Sequence, residues 1–109
     1  MIFVSIEDFY EKAEKCRVLT RQEELECAEK MKLGDTSART RIIESYLPMT
    51  ARHVRHAKPE MQTLSMALYC VDALEKAVDS FNFLQDSETF AHRLSWYLRN
   101  AVVKYIAEH

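Results

Sequence analysis

Apolar residues in the second half of the chain recur at the spacing of a single helical face. The longest such stripe consists of Leu64, Leu68, Val71, Leu74, Val78 and Phe81. Its members are separated by steps of three or four residues, which return to the same side of an α-helix at every turn. A second stripe runs through the segment from Phe90 to Glu108. Its members are Phe90, Leu94, Leu98, Ala101 and Tyr105.

The composition agrees with a helical protein of one domain. One glycine and two prolines in 109 residues argue against a turn-rich β fold. The length suits one domain, and 48% hydrophobic with 29% charged residues is typical of a globular chain. Because every segment carries the helical pattern, the sequence predicts an all-α fold, a single compact bundle of about five helices.

Capping residues predict where the helices begin. Ser5 followed by Asp8, and Thr20 followed by Glu23, resemble capping boxes that open the first and second helices. Gly34 suits the end of the second helix, because it can adopt a left-handed conformation there. Asp35 or Thr36 is then expected to cap a third helix.

Two prolines and a polar connector divide the remainder of the chain. The third helix is expected to span residues 37–56. Because Pro48 lies inside it, we expect a kink near Glu44 or a break, and the apolar pattern on both sides favours the kink. Pro59 separates it from the fourth helix, and Asp86 or Ser87 is expected to cap the fifth. One core is predicted to contain Leu47, Leu68, Val71, Leu74, Val78, Leu98 and Ala101.

Several classes of function receive no support from the sequence. Cys16, Cys27 and Cys70 are odd in number and lack C-x-x-C spacing, so we expect reduced thiols and neither zinc nor disulfides. His53 and His56 have a spacing that can bind metal, but no carboxylate or cysteine is close in sequence.

Catalytic motifs are absent, and we expect neither an enzyme nor a cofactor. No apolar run reaches the length of a membrane span, and the first residues do not resemble a signal peptide, so we expect a cytoplasmic protein.

Charge is distributed by segment, although the net charge is only -2. Residues 39–58 contain five Lys or Arg and one acid, whereas residues 60–88 contain six acids and one Lys. From Phe90 to Tyr105 there is no acid, and Trp96, Tyr97 and Arg99 lie close together. Rings stack on bases and guanidinium groups hold phosphates, so this segment suits nucleic-acid contact. A C-terminal core helix with a solvated basic side is the alternative interpretation, since aromatic stripes are usually buried.

Three groups of residues resemble bacterial primary-type RNA polymerase sigma factors, in the right order and spacing. Residues 19–48 contain L-T, E-E-L, G-D, A-R and I-I-E, similar to the start of the core region of that family. Residues 75–81, E-K-A-V-D-S-F, resemble the M-K-A-V-D-K-F of the family. Residues 95–102, S-W-Y-L-R-N-A-V, resemble its T-W-W-I-R-Q-A-I. The resemblance covers residues 19–108, leaving residues 1–18 as an additional N-terminal helix.

The resemblance implies a function in transcription initiation. In sigma factors this region binds a coiled coil of the β′ subunit of RNA polymerase core. It also opens promoter DNA at the minus-ten element and holds the non-template strand, which requires base flipping and stacking. The implied DNA-binding residues are Phe90, Arg93, Trp96, Tyr97, Arg99, Asn100 and Lys104. The implied polymerase-binding residues are Ser65, Met66, Leu68 and Tyr69.

The chain also departs from the family pattern. The polar polymerase-contact motif D-L-I-Q-E-G is replaced by S-M-A-L-Y-C at residues 65–70. Arg93 replaces a tyrosine that stacks on the flipped adenine, and Glu88 replaces another aromatic residue of the melting segment. The chain ends at His109 without the helix-turn-helix of sigma factors, as expected for either a fragment or a reduced sigma-like protein. A diverged helical protein-interaction module that binds polymerase or a sigma antagonist, without DNA binding, is the alternative function.

Overall fold

The computed structural model describes residues 2–85 and 88–109, and in these ranges it contains six α-helices and no strand. The helices are α1 (Ile6–Lys15), α2 (Arg21–Lys32), α3 (Thr36–Ser45), α4 (Leu47–Arg55), α5 (Leu64–Ser80) and α6 (Phe90–Glu108). A 3-10 turn, Pro59–Met61, connects α4 to α5. The predicted all-α fold is therefore confirmed. No helix among the described residues has the length and apolarity needed to span a membrane.

The first three helices begin at the predicted caps. The Ser5 side chain accepts a hydrogen bond from the backbone N–H of Asp8, and Thr20 forms a complete capping box with Glu23. Asp35 accepts from the N–H groups that open α3. These side chains satisfy backbone donors that have no partner inside the helix. Gly34 follows α2 with a φ of 95°, as expected for a left-handed residue after a helix.

The predicted third helix is divided into two at Tyr46. Tyr46 ends α3 and precedes α4, with a φ of -104° and a ψ of 3° that interrupt the helix. Pro48 is then the second residue of α4, where the backbone N–H that proline lacks would have no helical partner. Proline is tolerated there without a kink inside a helix. The favoured prediction of one kinked helix was therefore wrong, and the alternative, a break, is present.

The cap of the last helix also differs from the prediction. Thr89 is the N-cap of α6, and its hydroxyl accepts a hydrogen bond from the backbone N–H of His92 at 3.2 Å. The predicted caps, Asp86 and Ser87, lie outside the described residues. Threonine has the same short oxygen-bearing side chain as the predicted residues, so the interaction is the expected one at a later position.

Helix α5 is at the centre of the bundle. It packs along most of α6 and also contacts α1, α3 and α4, while α2 packs mainly on α3. Neighbouring helices approach α5 from several sides. Its buried face therefore includes small residues that do not belong to the apolar stripe predicted from the sequence. The buried residues of α5 are Met66, Ala67, Cys70, Ala73, Leu74, Ala77 and Val78.

Most of the predicted core is confirmed, and Leu68 is the exception. Leu47, Leu74, Val78, Leu98 and Ala101 are buried, and Val71 is half-buried against them. Leu68 is 45% exposed, so its assignment to the core was wrong. The neighbouring helices approach α5 at its Ala and Cys positions, where short side chains allow close packing. Leu68 consequently lies at the edge of the buried face.

Candidate nucleic-acid interface

Four of the predicted DNA-binding side chains are exposed on α6. We call Trp96, Arg99, Asn100 and Lys104 the α6 exposed face. The side chain of Trp96 is 57% exposed and stands edge-to-face against Tyr97, with ring centroids 5.4 Å apart. A neighbouring ring orients the indole while leaving much of it open to solvent. Trp96 is therefore a surface residue and not part of the core.

The polar groups of the α6 exposed face are available to a ligand. Within the described part of the chain, Arg99 and Asn100 have no hydrogen-bond or ion-pair partner. Lys104 lies 5.9 Å from the centre of the Tyr69 ring and pairs with no described carboxylate. Helix α6 carries no acid from Phe90 to Ala107. A phosphate or a base edge would find donors here without displacing an internal partner.

Arg93, by contrast, is engaged within the protein. Its Nε donates to the Glu88 carboxylate at 2.7 Å, and its guanidinium lies 5.7 Å from the centre of the Phe81 ring. Glu88, which replaces an aromatic residue of the family's melting segment, therefore pairs with the arginine beside it. Arg93 does not add a free positive charge to the α6 exposed face.

Two further predicted DNA contacts have structural roles. Phe90 is 3% exposed and packs with Tyr46, Phe81 and Phe83, at centroid distances of 4.7 to 5.2 Å. Its ring is covered by protein and offers no face to a base. Tyr97 is half-buried, and its hydroxyl lies 2.9 Å from the Ser80 Oγ on α5. Tyr97 thus supports Trp96 and joins α6 to α5.

A groove between α5 and α6 brings the two predicted binding sets together. We call it the α5–α6 groove; it has a volume of about 350 Å³. Its lining includes Leu68 and Tyr69 from the predicted polymerase contact and Tyr97, Asn100 and Lys104 from the predicted DNA contact. Of the other predicted polymerase-binding residues, Met66 is fully buried and Ser65 is half-buried outside the groove. An apolar patch therefore exists around Leu68 and Tyr69, but Met66 does not contribute to it.

One side chain of α6, Arg99, is near enough to His53 of α4 to influence its charge, which the sequence did not indicate. Burial lowers the pKa of His53, and the nearby positive charges of His56 and Arg99 lower it further. Arg52 is exposed one turn before His56, on the same side of α4. The sequence marked this segment as basic, but the influence of Arg99 on His53 depends on how helices far apart in the chain are arranged.

A metal site is not supported around the histidine pair. Among residues 2–85 and 88–109, no group of three or more His, Cys, Asp or Glu side chains is arranged to hold an ion. The positive charge of Arg99 acts on His53 and disfavours a cation there.

Known proteins add no assignment to this geometry. No protein-family model matches the chain, and no curated protein sequence matches it. The resemblance to sigma factors therefore depends on the three groups of motif residues and on their order.

Proposed function

We propose that the chain is a sigma-factor-like domain of transcription initiation, which binds RNA polymerase core and the single-stranded minus-ten promoter element. The observation that carries the proposal is the exposed ring of Trp96 next to Arg99 and Asn100, which have no partner among the described residues. By the resemblance, Trp96 matches a family position at the upstream edge of the open promoter, Arg99 one that faces phosphates and Asn100 one that meets duplex bases.

The chemistry of these side chains favours a single strand over a duplex. Base stacking on an aromatic ring contributes roughly 1–3 kcal/mol per base and needs a base that is not already stacked. Arg99 can neutralise a phosphate, and the amide of Asn100 can form paired hydrogen bonds with a base edge. A strand crossing α6 would meet all three groups.

The same geometry argues against unaided opening of a duplex. Arg93 replaces a stacking tyrosine and is paired with Glu88, while Phe90 is enclosed by other aromatic rings. Without rings that capture an unpaired base, little binding energy offsets the cost of unstacking. We therefore expect weak binding to single-stranded or forked DNA and no melting of duplex DNA.

Fluorescence anisotropy with labelled DNA tests this proposal. Trp96→Ala should weaken binding to a minus-ten-like single strand by roughly five- to 150-fold, the equivalent of one lost stack. Ile106→Ala is the matched control, because Ile106 is 58% exposed on the same helix but lies away from Trp96. Arg99→Ala should instead reduce the dependence of affinity on salt.

The fold of each variant is checked by circular dichroism before binding is compared. Equal affinity of folded Trp96→Ala and wild type would refute the DNA-binding role. Absence of wild-type binding at millimolar protein would do the same.

A protein-interaction module without DNA binding is the second candidate, and the α5–α6 groove favours it. Leu68 is 45% exposed at the rim of this groove, beside Tyr69. A pull-down with RNA polymerase core tests whether this surface binds a protein, and Leu68→Glu should abolish capture. Leu33→Glu is the matched control, since Leu33 is 88% exposed after α2. Because the groove is largely apolar and lacks the acidic motif, we expect weak capture that depends only mildly on salt.

A further inference from the structure

We propose that a cavity beside Trp96 holds an unstacked guanine of a single strand, and that the carboxylate of Glu88 selects this base. We call the cavity the α6 base pocket. It has a volume of about 350 Å³, and its lining consists of Glu88, His92, Arg93, Trp96 and Tyr97. The inference rests on the proposed function, because it names the base that a strand bound at the α6 exposed face presents to the protein.

The α6 base pocket combines an aromatic ring with a carboxylate. Four of its side chains lie on one side of α6, because their positions differ by three or four residues: His92, Arg93, Trp96 and Tyr97. Glu88 comes shortly before α6 and joins them through its contact with Arg93. Trp96 is 57% exposed, so its ring can stack on a base that enters the pocket.

Arg93 holds the Glu88 carboxylate in place. Its Nε donates to the Glu88 Oε1 at 2.7 Å, and its Nη2 contacts the same oxygen. The guanidinium also lies 5.7 Å from the centre of the Phe81 ring, which restricts its orientation. Because the two charges of the pair offset each other, a strand can approach the carboxylate without strong repulsion of its phosphates.

The second oxygen of this carboxylate is available to a ligand. An ionised carboxylate offers about four acceptor positions, and Arg93 contacts Oε1 alone. Within residues 2–85 and 88–109, the Glu88 Oε2 accepts no hydrogen bond. The nearest cationic partner, the His92 Nε2, lies 3.8 Å from Oε2, which is beyond hydrogen-bond distance. The α6 base pocket therefore contains an acceptor that lacks a donor.

Guanine is the base whose pairing edge best matches a carboxylate. It presents two neighbouring donors, the N1–H and the N2 amino group, whereas an ionised carboxylate only accepts. Adenine and cytosine present an amino group beside a ring nitrogen that accepts, and thymine presents one donor between two carbonyl oxygens. With each of these three bases, an acceptor would face the negative oxygen. Proteins read an unstacked base through this edge while an aromatic side chain stacks on its ring, and Glu88 and Trp96 supply both contacts.

Fluorescence anisotropy with four labelled strands tests the choice of base. Each strand is an oligothymidylate of about 12 nucleotides, within the site sizes of single-strand-binding domains, with guanine, adenine, cytosine or thymine at its centre. Wild type should bind the guanine strand at least about fivefold more tightly than the other three, the lower end for a bidentate base contact. The lower end is expected because Glu88 is 34% exposed.

A strand with hypoxanthine in place of guanine provides the sharpest comparison. Hypoxanthine lacks only the N2 amino group, so it offers the carboxylate one donor instead of two. Most of the guanine preference should therefore be lost. This comparison uses the wild-type protein, and it remains valid if a variant of Glu88 does not fold.

Glu88→Gln tests whether the carboxylate is the selecting group. The amide keeps an oxygen for Arg93 but places N–H donors where Oε2 was, and these would face the donors of guanine. The ratio of affinities for the guanine and adenine strands should therefore fall to about one. The ratio is the readout, because removal of a negative charge strengthens binding to every strand. Glu60→Gln, at an exposed position outside the pocket, removes the same charge and should keep the wild-type ratio.

Guanosine monophosphate distinguishes a base within a strand from a free nucleotide. As an unlabelled competitor, it should displace the guanine strand only at concentrations well above those of the unlabelled strand, because it lacks the neighbouring phosphates that Arg99 can contact. Displacement by equal concentrations of the two competitors would assign the pocket to a free guanine nucleotide and overturn the inference.

The outcomes distinguish this inference from the proposed function. Equal binding of the four strands, weakened by Trp96→Ala, would refute selection of guanine and leave the proposed function intact. Absence of binding to all four strands would refute both. A full guanine preference that persists with hypoxanthine, or in folded Glu88→Gln, would overturn the role assigned to Glu88.

Discussion

Arg39 of α3 binds Asp79 of α5 through two parallel hydrogen bonds, from Nε to Oδ1 at 2.7 Å and from Nη2 to Oδ2 at 2.9 Å. Glu75, one turn earlier on α5, lies 3.8 Å from the same guanidinium. All three residues belong to segments that resemble sigma factors. In this chain they join two helices that are 40 residues apart, so these motif residues contribute to the fold.

A double-mutant cycle on Arg39→Ala and Asp79→Ala should measure this contact. The two side chains are 32% and 55% exposed, so we expect a coupling free energy of about 0.2–1 kcal/mol, as for other surface pairs. Arg39 lowers the pKa of Asp79, so the stabilisation exists above the ordinary Asp pKa and is lost as pH falls below it. Urea unfolding at neutral and acidic pH provides the measurement, and a coupling that grows in acid would contradict the assignment.

Leu74→Ala should destabilise the protein far more than Leu68→Ala. Leu74 is fully buried on α5, so its truncation leaves a cavity and should cost about 2–5 kcal/mol. Leu68 is on the same helix but 45% exposed, and its truncation should change the free energy of unfolding by less than about 1 kcal/mol. Chemical denaturation of the pair provides the comparison. Equal losses in the free energy of unfolding for the two variants would show that the core does not pack against the side of α5 that carries its alanine and cysteine residues.

Glu23→Gln should reduce the loss of stability in acid. The Glu23 carboxylate accepts two hydrogen bonds from Arg17 at 2.9 Å and one from the Thr20 N–H, and these lower its pKa to about 2. Its folded pKa is below its unfolded pKa, so its stabilisation is present above the ordinary Glu pKa. That stabilisation is lost as pH falls towards about 2.

The pH dependence of the unfolding midpoint provides the measurement for Glu23. Glu29→Gln, at an exposed position on the same helix, should retain the wild-type profile. Identical acid profiles for Glu23→Gln and wild type would refute the assigned role of the Arg17 contact.

Cys16 should be the first cysteine to react with iodoacetamide in the folded protein. Cys27 and Cys70 are 1% and 0% exposed, and burial raises the pKa of Cys70 to about 12, which leaves almost no thiolate. Cys16 is half-buried, and burial and Glu44 raise its pKa, so its labelling should be slow. Mass spectrometry before and after urea unfolding checks the order. Rapid native labelling of Cys70 would contradict its burial in the core.

Local chemistry made the first three helix starts predictable. The caps at Ser5, Thr20 and Asp35 depend on side chains within three residues of the backbone groups they satisfy, so the sequence contains the whole interaction. The break at Tyr46 was not predictable in this way. Pro48 was compatible with either a kink or a helix start, and the choice depended on how α3 and α4 pack on α5.

The sequence predicted which types of residue form the candidate site, but not which of those residues are exposed at the protein surface. The resemblance to sigma factors grouped Phe90 with Trp96 as DNA contacts. Phe90 is enclosed by Phe81 and Phe83, whereas Trp96 faces solvent. Which ring is covered depends on the residues that other segments place against α6. The residue pattern of α6 alone does not show which residues these are.

The sequence by itself determined that this chain is helical and where most helices begin, because backbone hydrogen bonds, caps and a 3.6-residue period act between near neighbours. The tertiary structure decided which residues share a surface. It buried Met66 and Phe90 and left Leu68 and Trp96 exposed. These relationships arise from close packing between helices that are distant in the chain, where the shape of each partner selects the face that is covered.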